Sequence, residues 1–365
     1  MRVKRHHHTG HAQLTGLLHR LRNQQLVAAV HTIEHADGDH GAAGGPKLRR
    51  NVTEAAQNFH SQHTTAYFES MTDPLAASGL VIVDKPAGLT SHDVVARLRR
   101  IFQTRKVGHA GTLDPMATGV LVAGIERGTK LLTHLVGADK VYETTIRLGA
   151  STTTDDAEGE IIATADTSHI TDEQIDQGIA ALTGDIMQKP SAVSAIKIDG
   201  KRAHERVRAG EEVDIPARPV TVHSFTHTVR RGEHLDIDAQ VHCSSGTYIR
   251  SLARDLGASL GVGGHLVALR RLRVGPYPAT QAKTLEELEA NPQLTYSMDE
   301  ALKLGWPVLD VTQEEYDALA LGKWLAPRGL DGVHVAVGPD GRAVALVREK
   351  GKRLATTFVA RPATL

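Results

Sequence analysis

Leu80-Val81-Ile82-Val83 is apolar at every position, the pattern of a strand covered on both faces, and the Asp84-Lys85-Pro86-Ala87-Gly88 that follows has the composition of a turn. Residues 91–102 carry apolar side chains at helical spacing, with Ser91 placed to cap the first turn and arginines on the polar face. Beyond them the pattern predicts a strand over 119–125, a helix over about 129–136, a half-buried strand over Lys140–Leu148 and a helix over 171–182. Leu235–Cys243 reads as a strand entering the turn Ser244-Ser245-Gly246, after which Thr247 caps a helix to about residue 256. Strands joined both by short turns and by helices predict an α+β fold with a mixed, largely antiparallel sheet and flanking helices, not a doubly wound parallel sheet.

The pattern changes near residue 300. Thr312 and Glu315 have capping-box spacing ahead of a short helix. Strands follow over 333–337, 343–347 and about 354–359, the first two joined by the tight turn Gly338-Pro339-Asp340-Gly341. Residues 301–365 therefore form a small β-rich domain, expected to pack on the domain spanning 71–300 and to extend a binding surface. Residues 1–70 differ from both. They are rich in His, Gln, Ala and Gly and read as a disordered extension with room for one short helix over 12–31.

Composition narrows the classes of function. With 365 residues the chain has room for about two to three domains. Its 42 lysines and arginines balance its 42 aspartates and glutamates, so a surface for a polyanion must come from local clusters. Three exist: Arg97, Arg99, Arg100, Arg105 and Lys106; Lys197, Lys201, Arg202, Arg206 and Arg208; and Arg270, Arg271 and Arg273. Cys243 is the one cysteine, which excludes an intramolecular disulfide and a cysteine-based zinc site and fits a reducing cytosol. No apolar stretch approaches the ~20 residues of a membrane span, and no secretory signal opens the chain, so a cytoplasmic protein is expected. The histidines of the extension, His6-His7-His8 included, have no carboxylate or cysteine spaced with them as ligands, and no metal site is assigned.

Chemistry concentrates in Gly108-His109-Ala110-Gly111-Thr112-Leu113-Asp114-Pro115-Met116-Ala117-Thr118-Gly119. This reads as a glycine-rich loop between a basic helix and an apolar strand, with His109 and Asp114 its two proton-exchanging side chains. Asp followed by Pro is also a good helix start, so the carboxylate alone decides nothing. Its companions are Tyr142 near a strand start, the Thr/Asp-rich segment 149–159 containing Asp156, Tyr248 and Arg250 in a first helical turn, and Leu269-Arg270-Arg271-Leu272.

Together these segments resemble the bacterial tRNA pseudouridine-55 synthase family, TruB, over the span from Gly79 to the end of the main domain. Asp84-Lys85-Pro86-Ala87-Gly88-Leu89-Thr90-Ser91 matches the family's entry motif, the 108–119 string its catalytic loop, and Gly246-Thr247-Tyr248-Ile249-Arg250 its third motif. The C-terminal β domain resembles, more weakly, the small RNA-binding PUA type. Gln188-Lys189-Pro190-Ser191-Ala192-Val193-Ser194-Ala195-Ile196-Lys197 is similar to another family segment. It departs at Ser191 and Val193, where Pro and Tyr are common, as does His204, where Tyr is usual.

The resemblance implies a pseudouridine synthase fold and isomerisation of a uridine, at position 55 in the tRNA T-loop, by cleaving the bond from ribose to N1 and rejoining the sugar to C5. No cofactor is implied. Asp114 would attack the ring or the sugar, or remove a sugar proton; Tyr142 would lie under the uracil and relay the C5 proton; Arg250 would hold Asp114 charged through a bidentate fork. His109 would help displace the base, Tyr248 close the pocket, Leu269 supply an apolar wall, Asp156 a positioning contact near the target loop, and Lys85 a support for phosphate or loop. The expected partner is tRNA, through T-loop and stem, with the chain acting as a monomer without protein partner or membrane. Two alternatives stay open: a non-catalytic RNA-binding or tRNA-folding chaperone, and a guide-RNA-dependent synthase. Activity of the purified chain on unguided tRNA discriminates among the three.

Overall fold

The computed structural model describes residues 73–191, 197–198, 201–202 and 215–365. The expected extension over 1–70, the departures at Val193 and His204, and the side chains of the second basic cluster lie outside the described residues. From the N-terminal side run β1 (Gly79–Lys85), α1 (Ser91–Ile101), β2 (Val107–Ala110), β3 (Thr118–Ile125), α2 (Gly128–Leu135) and β4 (Lys140–Leu148). Then come β5 (Ala150–Thr152), β6 (Ile161–Thr164), α3 (Asp172–Ala181), β7 (Gly184–Gln188), β8 (Lys197–Ile198), β9 (Lys201–Arg202), β10 (Arg218–Arg231) and β11 (Leu235–Cys243). The main fold closes with α4 (Ile249–Ser259), β12 (Gly264–Val274), β13 (Tyr277–Pro278), α5 (Leu285–Ala290), β14 (Tyr296–Ser297) and α6 (Met298–Gly305). β15 (Val308–Asp310), α7 (Gln313–Ala320), β16 (Val333–Val337), β17 (Ala343–Lys350) and β18 (Arg353–Val359) complete the chain.

The main sheet runs in the order β14-β1-β3-β12-β4-β11-β10-β7, with β2 on β3 and β13 on β12. All its ladders are antiparallel except the short parallel pairing of β12 with β3, which makes the sheet mixed and largely antiparallel as expected. That junction constrains the sequence. Gly119 has φ +97°, and a Cβ there would lie 2.2 Å from the Arg271 carbonyl oxygen, so only glycine lets β3 come this close to β12. The inward residues of β4, β11 and β12 pack against Ile175 and Ile179 of α3 and Ile249, Leu252 and Leu256 of α4.

Three elements differ from the sequence expectation. Helix α1 is capped by Thr90, whose side chain accepts from the Asp93 amide in a capping box, and Ser91 is thereby released for another contact. Tyr248, not Thr247, is the N-cap of α4; the Thr247 hydroxyl donates to the Ser244 carbonyl within the preceding turn. Residues 107–110 are not loop but strand, because pairing with β3 satisfies their backbone groups. β15–β18 form a separate four-stranded sheet. Val335, Val337, Leu346 and Phe358 of that sheet share an apolar cluster with Leu80 and Leu131 of the main fold, so it packs as expected.

Candidate active site

Asp114 lies in the bend between β2 and β3, and buried polar groups fix the backbone around it. The Ser91 hydroxyl accepts from the Leu113 amide at 2.9 Å and donates to the Leu113 carbonyl at 3.2 Å. Lys85, fully buried, donates its ammonium to the carbonyls of Pro86 (2.8 Å), Leu89 (2.7 Å) and Pro115 (3.2 Å), one acceptor for each of its three protons. Burial pushes Lys85 down to about 8, opposed by the negative charge of Asp114. From the other side Arg271, 1% exposed, donates Nε to the Val120 carbonyl at 2.7 Å and Nη2 to the Gly111 carbonyl at 2.9 Å.

The reactive groups stand on this frame. Arg250 Nε lies 3.0 Å from Asp114 Oδ2, and Nη1 reaches the Thr154 carbonyl at 2.9 Å and Asp156 Oδ2 at 3.4 Å. The guanidinium is 4% exposed while the Asp114 carboxylate is 36% exposed, so the cation is held from behind and the anion faces outward. That is the geometry of a carboxylate offered to a ligand with a cation behind it. Tyr142 is buried, and the register sets it opposite Arg271 on β12 and Val241 on β11. Burial pushes its phenol above the ordinary tyrosine range, and the positive charge of Arg271 partly opposes that shift. The phenol therefore stays protonated at neutral pH. Leu269 shares an apolar cluster with Tyr142 and Leu113.

One expected role narrows and one changes. Of the two supports expected of Lys85, phosphate or loop, the structure shows the loop: the side chain turns inward and spends its donors on carbonyls. Asp156 is buried and faces Arg250, with its other oxygen accepting from Thr154 Oγ1 and the Glu158 amide, so it steadies the guanidinium and does not stand at the surface. His109 sits on β2, and burial together with the charges of His92 and Arg271 holds it below the usual histidine range, hence neutral at pH 7. Its buried Nδ1 has no hydrogen-bond partner. Tyr248 is placed by its backbone: its amide donates to Gln188 Oε1 at 2.8 Å and its carbonyl accepts from Gln188 Nε2 at 3.1 Å.

Arg271, Ser91 and Gln188 were absent from the sequence reading as site residues. Arg271 had a signal, since neighbours in a strand point to opposite faces and one of two adjacent arginines in an apolar strand must face inward. Arg270 takes the other face and forks onto Asp84 at 2.9 and 2.8 Å. A cavity of about 700 Å³ adjoins the loop through Met116 and Leu269, but its lining contains none of Asp114, Tyr142 and Arg250, so it is not the pocket around the carboxylate.

Three family models match successive parts of the chain. Residues 99–249 match the model for the TruB family pseudouridylate synthase N-terminal domain. Residues 250–310 match a tRNA pseudouridylate synthase B C-terminal domain, and residues 306–361 the C-terminal domain of tRNA pseudouridine synthase II. The chain is 67% identical over 297 residues to the tRNA pseudouridine synthase B of Corynebacterium efficiens, covering 81% of this chain and 100% of that one. It is 54% identical over 300 residues to the protein of the same name from Rhodococcus jostii, covering 81% and 98%. Among solved structures, a Cbf5-Nop10-Gar1 complex contains a chain similar at 26% identity with a TM-score of 0.61, over 81% of this chain and 89% of that one. An H/ACA RNP bound to a substrate RNA containing 2'-deoxyuridine shares the fold at 24% identity and a TM-score of 0.58, over 79% and 86% of the two chains.

Proposed function

Because the chain belongs to the TruB family of pseudouridylate synthases, we propose that it isomerises uridine to pseudouridine in tRNA, at position 55 of the T-loop, with Asp114 as its reactive carboxylate. The observation that carries this reading is the outward-facing Asp114 carboxylate, 3.0 Å from a buried Arg250 guanidinium. A stacked base must leave the tRNA loop to reach it, at a cost of a few kcal/mol. Stacking on Tyr142 returns about 1–3 kcal/mol of that. With the base in place, the carboxylate acts on the ring or the sugar, N1 leaves with the electron pair of the glycosidic bond, and the freed uracil turns so that C5 bonds to the same sugar carbon. The Tyr142 oxygen takes the C5 proton as the phenol gives up its own, and the product carries a proton on N1 in place of the one lost from C5. The neutral His109, on the strand entering the loop, takes part in displacing the base. Leu269 and Tyr248 wall the pocket.

The test is Asp114→Asn on full-length protein, following tritium release from tRNA labelled at uridine C5 beside a filter-binding isotherm. Turnover is expected to vanish with RNA affinity held within a few-fold, since basic surface and stacking carry binding. Residual turnover near wild type removes Asp114 from the chemistry. We read the protein as a cytoplasmic monomer acting on unguided tRNA, with residues 301–365 as a PUA-like RNA-binding domain distinct from residues 71–300. Among the described residues no helix is long and apolar enough to cross a membrane. Product formation by the purified chain alone, mapped to one tRNA position by mass, separates this reading from a guide-dependent synthase.

A further inference from the structure

Away from the Asp114 site, three side chains converge at one end of the main sheet. His242 is on β11, His223 on β10, and Asp139 immediately precedes β4, so three adjacent strands each supply one group. A β-bulge between Val222 and Ser224 leaves His223 as the extra residue of its strand, and it projects beside His242 with ring centroids 4.7 Å apart. His223 Nε2 is 3.2 Å and His242 Nε2 3.8 Å from Asp139 Oδ2, and the three donor atoms lie within 4.8 Å of one another.

We propose that Asp139, His223 and His242 bind a divalent transition-metal ion of the zinc type. Bonds of about 2.0–2.2 Å in a tetrahedral site place neighbouring donors roughly 3.3–3.5 Å apart, and the two separations from Asp139 bracket that value. Two imidazoles and one carboxylate suit Zn²⁺, Co²⁺ or Ni²⁺; Mg²⁺ and Ca²⁺ want oxygen cages, and Cu⁺ wants sulfur. Three protein ligands leave a position for water. One group opposes the ion: Arg273 Nη2 lies 3.4 Å from His242 Nε2, on the lone pair the metal would take, while Nη1 donates to the Gly275 carbonyl. Arg273 is only partly buried and must swing off for metal to enter. The bound ion clamps the ends of β4, β10 and β11 beside the turn leading to α4. It is not part of the reaction pocket, because His242 alternates along β11 with Val241, which pairs with Tyr142.

The chain has 21 histidines, His6-His7-His8 among them, so total metal uptake does not report this site. The test therefore compares variants of the full-length, chelator-treated protein by Co²⁺ titration, read in the visible d–d bands, and by the Zn²⁺-induced shift in melting temperature. His223 is exposed, so His223→Ala should fold with an unchanged metal-free melting temperature. His223→Ala and Asp139→Asn are expected to lose one Co²⁺ band component or weaken it at least ~10-fold, and to lose the Zn²⁺ stabilisation. Arg273→Met is expected to tighten binding several-fold. Spectra and melting shifts identical in wild type and all three variants, or no Zn²⁺ stabilisation of wild type, would overturn the site and leave an ordinary Asp139–His223 ion pair.

Discussion

The bend from Gly111 to Ala117 and the sheet of β15–β18 belong to one chain, yet opposite physics holds them. The bend is fixed by buried polar groups delivered from distant segments: Lys85 and Ser91 from the first strand and helix, and Arg271 from β12. The C-terminal sheet is fixed by Val335, Ala336, Val344, Leu346, Val347 and Leu354, all fully buried and apolar. Among the described residues, the buried polar side chains lie before residue 300 with the exception of Arg361. Apolar packing is non-directional and tolerates small shifts, whereas a hydrogen bond to a named carbonyl fixes a backbone atom to a fraction of an ångström. A carboxylate that must meet one atom of a flipped base needs the second kind of support. A sheet that only has to be present can use the first.

The strongest break of this contrast is Arg271→Met. It leaves the Gly111, Thr112 and Val120 carbonyls without their donor and removes the positive charge near the Tyr142 phenol. Turnover is expected to fall by on the order of 100-fold, mainly in kcat, because displacement by ~1 Å is enough to misplace a catalytic group. Stability should drop by about 3 kcal/mol or more from the unsatisfied groups. Single-turnover rates and urea midpoints on the same preparations check both. A kcat within threefold of wild type would mean that the bend holds itself. The counterpart is Leu346→Ala, fully buried in the C-terminal sheet, which should cost ~2–5 kcal/mol while kcat at a temperature where the variant is folded stays unchanged. Loss of kcat there would dissolve the distinction between the two regions.

Legibility in the sequence divides along the same line. β4, β11 and β16 were readable to the residue, since a period of two in apolar positions is a direct image of a half-buried strand. The capping box at Thr312 and Glu315 was readable because its partners are three residues apart. Asp114 stood out in the 108–119 string, Tyr142 and Arg250 were found through the resemblance of their segments to the TruB family, and the fold brings Asp114 and Arg250 into contact across more than a hundred residues. What was not legible was the support. Ser91 looked like a helix cap because a local partner is the default for a serine in that place, and only the fold shows its hydroxyl on Leu113. Asp156 looked like a contact near the target loop, and Lys85 was left open between phosphate and loop, because charged residues are usually exposed; the structure buries both. The cluster of Asp139, His223 and His242 depends on a bulge that periodicity does not mark.

A smaller sharpening comes from the two caps. Thr312→Ala removes a local acceptor at the start of α7 and should cost about 1 kcal/mol with no change in rate. Ser91→Ala removes a hydroxyl of similar size that anchors the bend, and should lower kcat several-fold with a comparable stability loss. Thermal melts beside single-turnover rates test the pair. Equal rates in the two variants would show that the Ser91 contact is dispensable for placing Asp114.

The finest separation is in pH. Burial lowers Lys85 to about 8, and Lys140 to about 8 as well, where its ammonium donates to the Val136 and Ala138 carbonyls and to Ser245 Oγ. Both residues ordinarily titrate near 10.5. Below pH 8 folded and unfolded chains both carry these protons, and the cost of burying charge is constant. Between pH 8 and 10.5 the folded chain has released protons that the unfolded chain still holds, so this contribution raises stability as pH rises. Cys243 works the other way: burial lifts its thiol from 9.0 to about 11, so above pH 9 the unfolded chain gains from ionising and the rise is opposed. The clean window is therefore about pH 8 to 9, in which the urea midpoint should increase slightly, and by less in Lys140→Met. Activity should move in the opposite direction over that window. A neutral Lys85 has two protons for three carbonyls and no longer sets a positive charge near Asp114, so the single-turnover rate is expected to fall with a midpoint near pH 8. Rate and stability rising together would mean that Lys85 is a structural pin whose charge the reaction does not use.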